Sequence, residues 1–149
     1  MNKINFKITT PEKIVYEDQI DQVTLPTKMG EITVLPGHLP IVSSLKAGEI
    51  LIKKDGQEVP LAVAGGFIEL NHNQLVILAD NAERAEEIDE IRAEEARQRV
   101  AKLIEEKKDQ SDVDYTALAA RMERELARLK VARKYKNLKP KTEIRREED

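Results

Sequence analysis

The chain changes character near Asp80, and that change constrains its fold more than any single motif does. All six glycines lie between Gly30 and Gly66, and five of the six prolines precede Leu61. Up to Asp80 there are 7 lysines, no arginine and 10 acidic residues; from Asn81 onward 18 basic residues face 18 acidic ones. Helix interiors exclude proline and disfavour glycine, whereas the tight turns between short strands use both. The amino-terminal half therefore reads as strands and turns, and the carboxy-terminal half as helix.

Within the first half, Ile4, Phe6 and Ile8 alternate with Asn5 and Lys7, the period-two pattern of a half-buried strand. KIVYED, QIDQVTL and EITVL supply further β-branched runs. The clearest hairpin is GEILIKK-DG-QEVPLAVA, because Asp55-Gly56 suits a tight primed turn. GGFIEL-NHN-QLVILAD reads as a second hairpin. Short strands at this spacing predict an antiparallel β-sandwich or barrel over residues 1–84. Aromatics make up only 3% of the chain, so its core must be built from Ile, Leu, Val and Ala.

In the second half, Ala93, Ala96, Val100 and Leu103 step by three and four and predict an amphipathic helix. Running from about Glu86 to Lys107, it would span roughly 33 Å at ~1.5 Å per residue. KKDQSDVD interrupts the pattern, with Ser111 or Asp112 as the expected N-cap. Tyr115, Leu118, Met122, Leu126 and Leu129 make the stripe of a second helix. Two such helices with a short polar joint predict an antiparallel hairpin over residues 85–133. Its stripes are thin and alanine-rich, so little area is buried and the hairpin is expected to open readily. The tail, 134–149, is densely charged and expected to be disordered. The fold class is thus α+β, a sandwich followed by a two-helix hairpin.

Composition excludes several classes of chemistry. With no cysteine there is no disulfide, thiolate nucleophile or thiolate zinc site. A net charge of −3 gives no electrostatic reason to expect nucleic acid as a partner. The amino terminus carries no apolar run of signal-peptide length, and no uninterrupted apolar stretch reaches about 18 residues. The expectation is a cytosolic protein without direct membrane insertion, reaching a membrane only through a partner. No HExxH, GxSxG or GxxxxGK[ST] motif occurs, and the two histidines, His38 in PGHLP and His72 in NHN, sit in turns. Neither a catalytic residue nor a metal ligand is assigned.

The arginines carry more information. Arg92 and Arg99 share a helix face two turns apart. Arg121, Arg124 and Arg128 form a ladder beside the second apolar stripe, where Arg124 and Arg128 repel at i,i+4 and Glu125 compensates in part. Two readings stand: an ordinary face of surface ion pairs, or an anion held between the helices, since guanidinium forks suit phosphate oxygens.

GEITVLPGHLPIVSSLKAGE, LAVAGGFIEL and LVILADNAERAEEIDEIRAEEA, in this order and spacing, resemble the epsilon subunit of F-type ATP synthases. The resemblance runs from the first strand to about Val131; beyond it the tail is longer and more charged than is usual in the family. It implies a β-sandwich that binds the gamma subunit and the membrane-embedded c-ring. It further implies a helical arm that folds against the sandwich or extends along gamma toward the alpha and beta subunits and inhibits ATP hydrolysis. Location would be peripheral, on the cytoplasmic side of the bacterial plasma membrane. Glu31 to His38 matches the loop facing the c-ring, with Glu31 and His38 as contact residues. Arg121, Arg124 and Arg128 would face the beta subunit when the arm extends.

Some bacterial members bind ATP in the folded arm through a motif met here by Ile88-Asp89-Glu90-Ile91-Arg92-Ala93. By that pattern Glu83, Ile88, Asp89 and Ala93 would surround adenine. Arg92, Arg99, Arg124 and Arg128 would face the phosphates. ATP is then a regulatory ligand rather than a substrate, and the motif assigns no role to magnesium. A competing reading is a generic adaptor whose sandwich docks one protein and whose hairpin docks another.

Overall fold

A computed structural model describes residues 2–136. Eight strands come first: β1 (Ile4–Thr9), β2 (Ile14–Ile20), β3 (Gln22–Thr27), β4 (Gly30–Val34), β5 (Ile41–Ser44), β6 (Gly48–Lys54), β7 (Gln57–Asn71) and β8 (Gln74–Arg84). A 3₁₀ turn, Ala85–Glu87, leads into helices α1 (Glu90–Lys107) and α2 (Tyr115–Lys134). The strands form a β-sandwich hydrogen-bonded in the order β2-β1-β8-β7-β6-β3-β4, with β5 also on β7. All pairings between named strands are antiparallel except β1 with β8, which is parallel. An all-antiparallel sheet was expected from the hairpin signals, but β1 and β8 are far apart in sequence and no turn dictates their direction.

Strand β7 serves both layers. Residues 57–63 pair with β6 and residues 67–70 with β5, while β8 follows the opposite edge. The change-over falls at Gly65 and Gly66, whose φ values are +68° and +123°. A Cβ at Gly66 would collide with the Leu78 carbonyl, so the bend needs glycine there. Both expected hairpins are present. Asp55-Gly56 and His72-Asn73 each adopt positive φ at both central residues, as primed turns require.

The main core lies between the layers, where Ile4, Phe6 and Ile8 meet Leu25, Ile50, Ile52, Leu61, Ile68 and Ile77. A second, smaller cluster joins sandwich to arm: Ala62, Ala85, Ile88, Ala93, Leu129, Val131 and Ala132, with Tyr135 packed at its edge. Helix α2 lies against β6 and β7, and α1 packs on α2. The helices are antiparallel: Arg133 near the end of α2 reaches Glu90 at the start of α1. At the other end the Tyr115 hydroxyl donates to the Lys107 carbonyl.

The arm differs from its sequence reading in four respects. Helix α1 begins at Glu90 rather than Glu86, because Asp89 is the N-cap and accepts from the amides of Ile91 and Arg92 at 3.1 and 3.2 Å. Ser111 and Asp112 lie in the joint; the cap of α2 is Asp114, which accepts from the Ala117 amide at 3.1 Å. Leu126 is half exposed, and the buried positions of α2 are Leu118, Glu125, Ala127, Leu129, Val131 and Ala132. Periodicity alone assigned the stripe by residue type, whereas α2 is covered on two sides, by α1 and by the sandwich. Finally, α2 continues through Lys134, and Tyr135 is partly buried, so the first residues of the expected disordered tail pack on the fold. The rest of that segment, residues 137–149, lies outside the described residues.

Candidate functional site

Where β8 leaves the sandwich, its last turn faces α2 across a polar cavity of about 510 Å³. Residues 10–13 of the β1–β2 turn, residues 80–83 of β8, Glu87, Arg124 and Arg128 line it. Arg128 is the hub of this wall. Its Nε and Nη2 donate to the two carboxylate oxygens of Glu83 at 2.6 and 3.2 Å. Its Nη1 donates to Glu125 Oε2 at 2.8 Å. Arg124 donates through Nη2 to Glu125 Oε1 at 3.0 Å and through Nη1 to Asn81 Oδ1 at 3.5 Å.

Glu125 thus spans two guanidinium groups, with its side chain only 3% exposed. Burial opposes the charge on Arg128, but its hydrogen bonds with Glu83 and Glu125 outweigh that and raise its pKa. Exposed ion pairs such as Arg133 with Glu90 contribute little by comparison, since solvent screens them. The Arg128 cluster is different because its central carboxylate is dry.

A second contact holds the far end of α2. Lys134 donates to Glu49 Oε2 at 3.0 Å, and the Tyr135 hydroxyl donates to Glu49 Oε1. Burial, then the Glu49 hydrogen bond, pushes the Tyr135 phenol up. Nothing in the sequence pattern pointed to this clasp, because Glu49 and Tyr135 are 86 residues apart.

Of the residues expected to surround a nucleotide, the structure brings Glu83, Arg124 and Arg128 together. Ile88 and Ala93 are 1% and 0% exposed, packed into the seam rather than standing on a cleft wall. Asp89 is occupied as a helix cap, and Arg92, with its side chain 83% exposed, pairs with it at 3.7 Å. Arg99 is exposed and has no ion pair among the described residues. Arg92 and Arg99 do not line the cavity. Apolar burial claims Ile88 and Ala93, and helix α1 turns Arg92 and Arg99 toward solvent.

Another group of exposed residues lies around the LPGH turn and on the neighbouring strands. The LPGH turn is fixed by His38 N–H donating to the Leu35 carbonyl at 3.1 Å and by Gly37 N–H donating to Asn73 Oδ1 at 2.8 Å. His38 Nδ1 lies 2.7 Å from its neighbour's carbonyl at Leu39. The imidazole is therefore a turn-stabilising group. Glu31 is exposed on β4. Leu35 and Leu39 flank the turn at 52% and 78% exposure. Phe67 and Leu78, cross-strand partners on the sandwich, are also more than half exposed, with Val42 on β5 diagonal to Phe67. The consecutive apolar pair Phe67-Ile68 was the available signal: a strand apolar on both faces has one face the core does not cover.

A β-sandwich with a helical hairpin docked by a narrow seam defines the class, and comparison places it. Residues 3–85 match the family described as ATP synthase, Delta/Epsilon chain, beta-sandwich domain. The chain is 40% identical over 134 residues to the ATP synthase epsilon chain of Chloroflexus aggregans, covering 89% of this chain and 94% of that one. It is 42% identical over 113 residues to the Bacillus subtilis ATP synthase epsilon chain, covering 76% and 86%. The chain belongs to the ATP synthase epsilon chain family. Its fold also matches a chain in the Euglena gracilis mitochondrial ATP synthase OSCP/F1/c-ring structure, with a TM-score of 0.68 and 22% identity over 89% of this chain and 82% of that one. A chain in the central stalk/c-ring structure of the Tetrahymena thermophila mitochondrial ATP synthase matches with a TM-score of 0.61 and 18% identity, covering 88% and 97%.

Proposed function

We propose that this epsilon chain works as a non-catalytic rotor subunit in the central stalk of a proton-translocating F-type ATP synthase. The sandwich joins gamma to the c-ring, the latter through the segment from Glu31 on β4 to His38 in the turn that follows. The arm regulates ATP hydrolysis by leaving the sandwich and extending toward the alpha and beta subunits. The observation that carries this reading is the division of the apolar interior into two clusters. The sandwich core contains no arm residue, so the arm can leave without exposing that core. No helix among the described residues is long and apolar enough to cross a membrane, in keeping with peripheral association on the cytoplasmic side.

The same arginines supply both states. Docked, Arg124 and Arg128 are neutralised by Glu83 and Glu125; undocked, they lose Glu83 and, with the exposed Arg121, present a basic ladder to the beta subunit. ATP bound at the cavity would add contacts only in the docked state and shift the arm toward it. Low ATP then favours inhibition.

The test is reconstitution with gamma and the catalytic subunits, comparing the full chain with one ending at Arg84. The truncated chain should still bind gamma while ATP hydrolysis rises severalfold. Unchanged hydrolysis would remove the regulatory role, and failure of both chains to bind gamma would remove the stalk assignment. ATP binding is tested on the isolated full chain against an Arg124→Ala variant, which removes a cavity-lining guanidinium and should weaken it.

A further inference from the structure

Glu125 is the one buried charged residue among the described residues. It sits on α2, where every other buried side chain, from Leu118 to Ala132, is apolar. A carboxylate in such a place is costly unless its charge is answered. Here it is answered twice, and no buried side-chain polar atom among the described residues lacks a hydrogen bond.

The way it is answered is informative. Glu125 Oε1 accepts from Arg124 at 3.0 Å and Oε2 accepts from Arg128 at 2.8 Å, one oxygen for each guanidinium. Two oxygens of a single phosphate group would use the same two forks in the same way. Both arginines line the polar cavity between α2 and β8, and Glu83 takes the remaining donors of Arg128. With two guanidinium and two carboxylate groups the cluster is formally neutral before any ligand arrives.

We propose that Glu125 is an internal substitute for a ligand phosphate: from within α2 it neutralises Arg124 and Arg128, aims them at Asn81 and Glu83 of β8, and competes with a polyphosphate for both. The proposal rests on the reading of this cavity as a nucleotide site and specifies its regulation. A bound polyphosphate must displace the carboxylate or share its arginines, so Glu125 sets both the ligand requirement of the docked arm and the affinity of the site. In this chain the arm stays down in the absence of ligand, and ATP adds less to docking than it would with a neutral residue at 125.

Two variants of the full-length protein test this. Glu125→Gln keeps the shape and removes the charge. Glu125→Met places an apolar side chain of similar length there and guards against an effect of the glutamine amide, while Arg128 keeps Glu83 and Arg124 keeps Asn81 as partners. Binding of ATP and of inorganic tripolyphosphate is measured by calorimetry for all three proteins. Hydrogen exchange of α2 is followed with and without ATP.

Both variants should bind each anion at least about tenfold more tightly than the natural chain. In Glu125→Gln, α2 should exchange faster without ligand and recover its protection when ATP is added. Unchanged or weaker binding in both variants, with the natural chain binding ATP, overturns the role of Glu125 and leaves the nucleotide reading intact. Tighter binding in both variants, with no ATP binding by the natural chain, sustains the role of Glu125 and defeats the nucleotide reading. Absence of binding in all three overturns both.

Discussion

The sandwich and the arm are held together by different physics. Nearly all of the largest fully buried side chains, from Ile4 to Ile77, belong to the sandwich, with Ile88 in the seam an exception. The arm meets the sandwich through a seam in which four of seven buried residues are alanine, bordered by the Arg128 cluster and the Glu49 clasp. Apolar area stabilises in proportion to what is removed from water, at about 25 cal/mol per Å². Alanine supplies little of it. The difference teaches that the arm is held by less apolar area and more polar contact than the sandwich core is.

The largest test of this contrast is Phe6→Ala. Removing this fully buried ring should destabilise the whole protein by about 3–5 kcal/mol in denaturant unfolding, with sandwich and arm lost together. Arg128→Ala comes next. It removes one of the two guanidinium partners of the buried Glu125, so arm docking should weaken by about 2–3 kcal/mol, read as faster hydrogen exchange in α2 alone. Equal acceleration across the β-strands would break the proposed separation.

Tyr135→Phe is expected to cost about 1 kcal/mol of docking by deleting one hydrogen bond to Glu49. The effect should appear at the carboxy-terminal end of α2, detected by local exchange rates.

The smallest effect concerns pH. The Arg97 guanidinium, hydrogen-bonded to Glu94, together with Gln98 and the charge of Arg133, outweighs desolvation and holds the Glu94 carboxyl at about 2 rather than 4.5. A depressed folded-state pKa stabilises above the unfolded value and is lost as pH falls through the folded one. Helix α1 and its contact with Arg133 should therefore loosen between pH 4.5 and about 2. Carbon-13 titration of the Glu94 side chain should show the low midpoint; an ordinary midpoint would remove this contribution.

Much of the fold was legible because local chemistry decided it. Alternation at Ile4, Phe6 and Ile8, and the primed turns at Asp55-Gly56 and His72-Asn73, are choices made by the backbone and its immediate neighbours. The helix boundaries were less legible, since Ser111, Asp112 and Asp114 are all chemically competent caps and only the path of the chain selects Asp114. The arginine ladder was recognisable as a candidate site. Its partner Glu125 was visible from spacing, but the two-pronged pairing of Arg128 with Glu83 was not, because those two are 45 residues apart. The expected inward role of Arg92 and Arg99 also depended on a helix orientation that spacing does not specify, and both arginines are exposed.

Sequence alone determined that this chain has two parts, because glycine, proline and β-branched alternation stop where charged, alanine-rich helical periodicity begins. It also determined the family, through the LPGH turn, the GGFIEL strand and the segment that follows β8. Tertiary structure alone decided that Glu125 is buried and Leu126 half exposed. On an isolated helix either residue can face water, and only the packing of α2 against α1 and the sandwich makes one of those two adjacent positions dry. A carboxylate survives there because two arginines of its own helix reach it, and those arginines in turn reach Asn81 and Glu83 of β8.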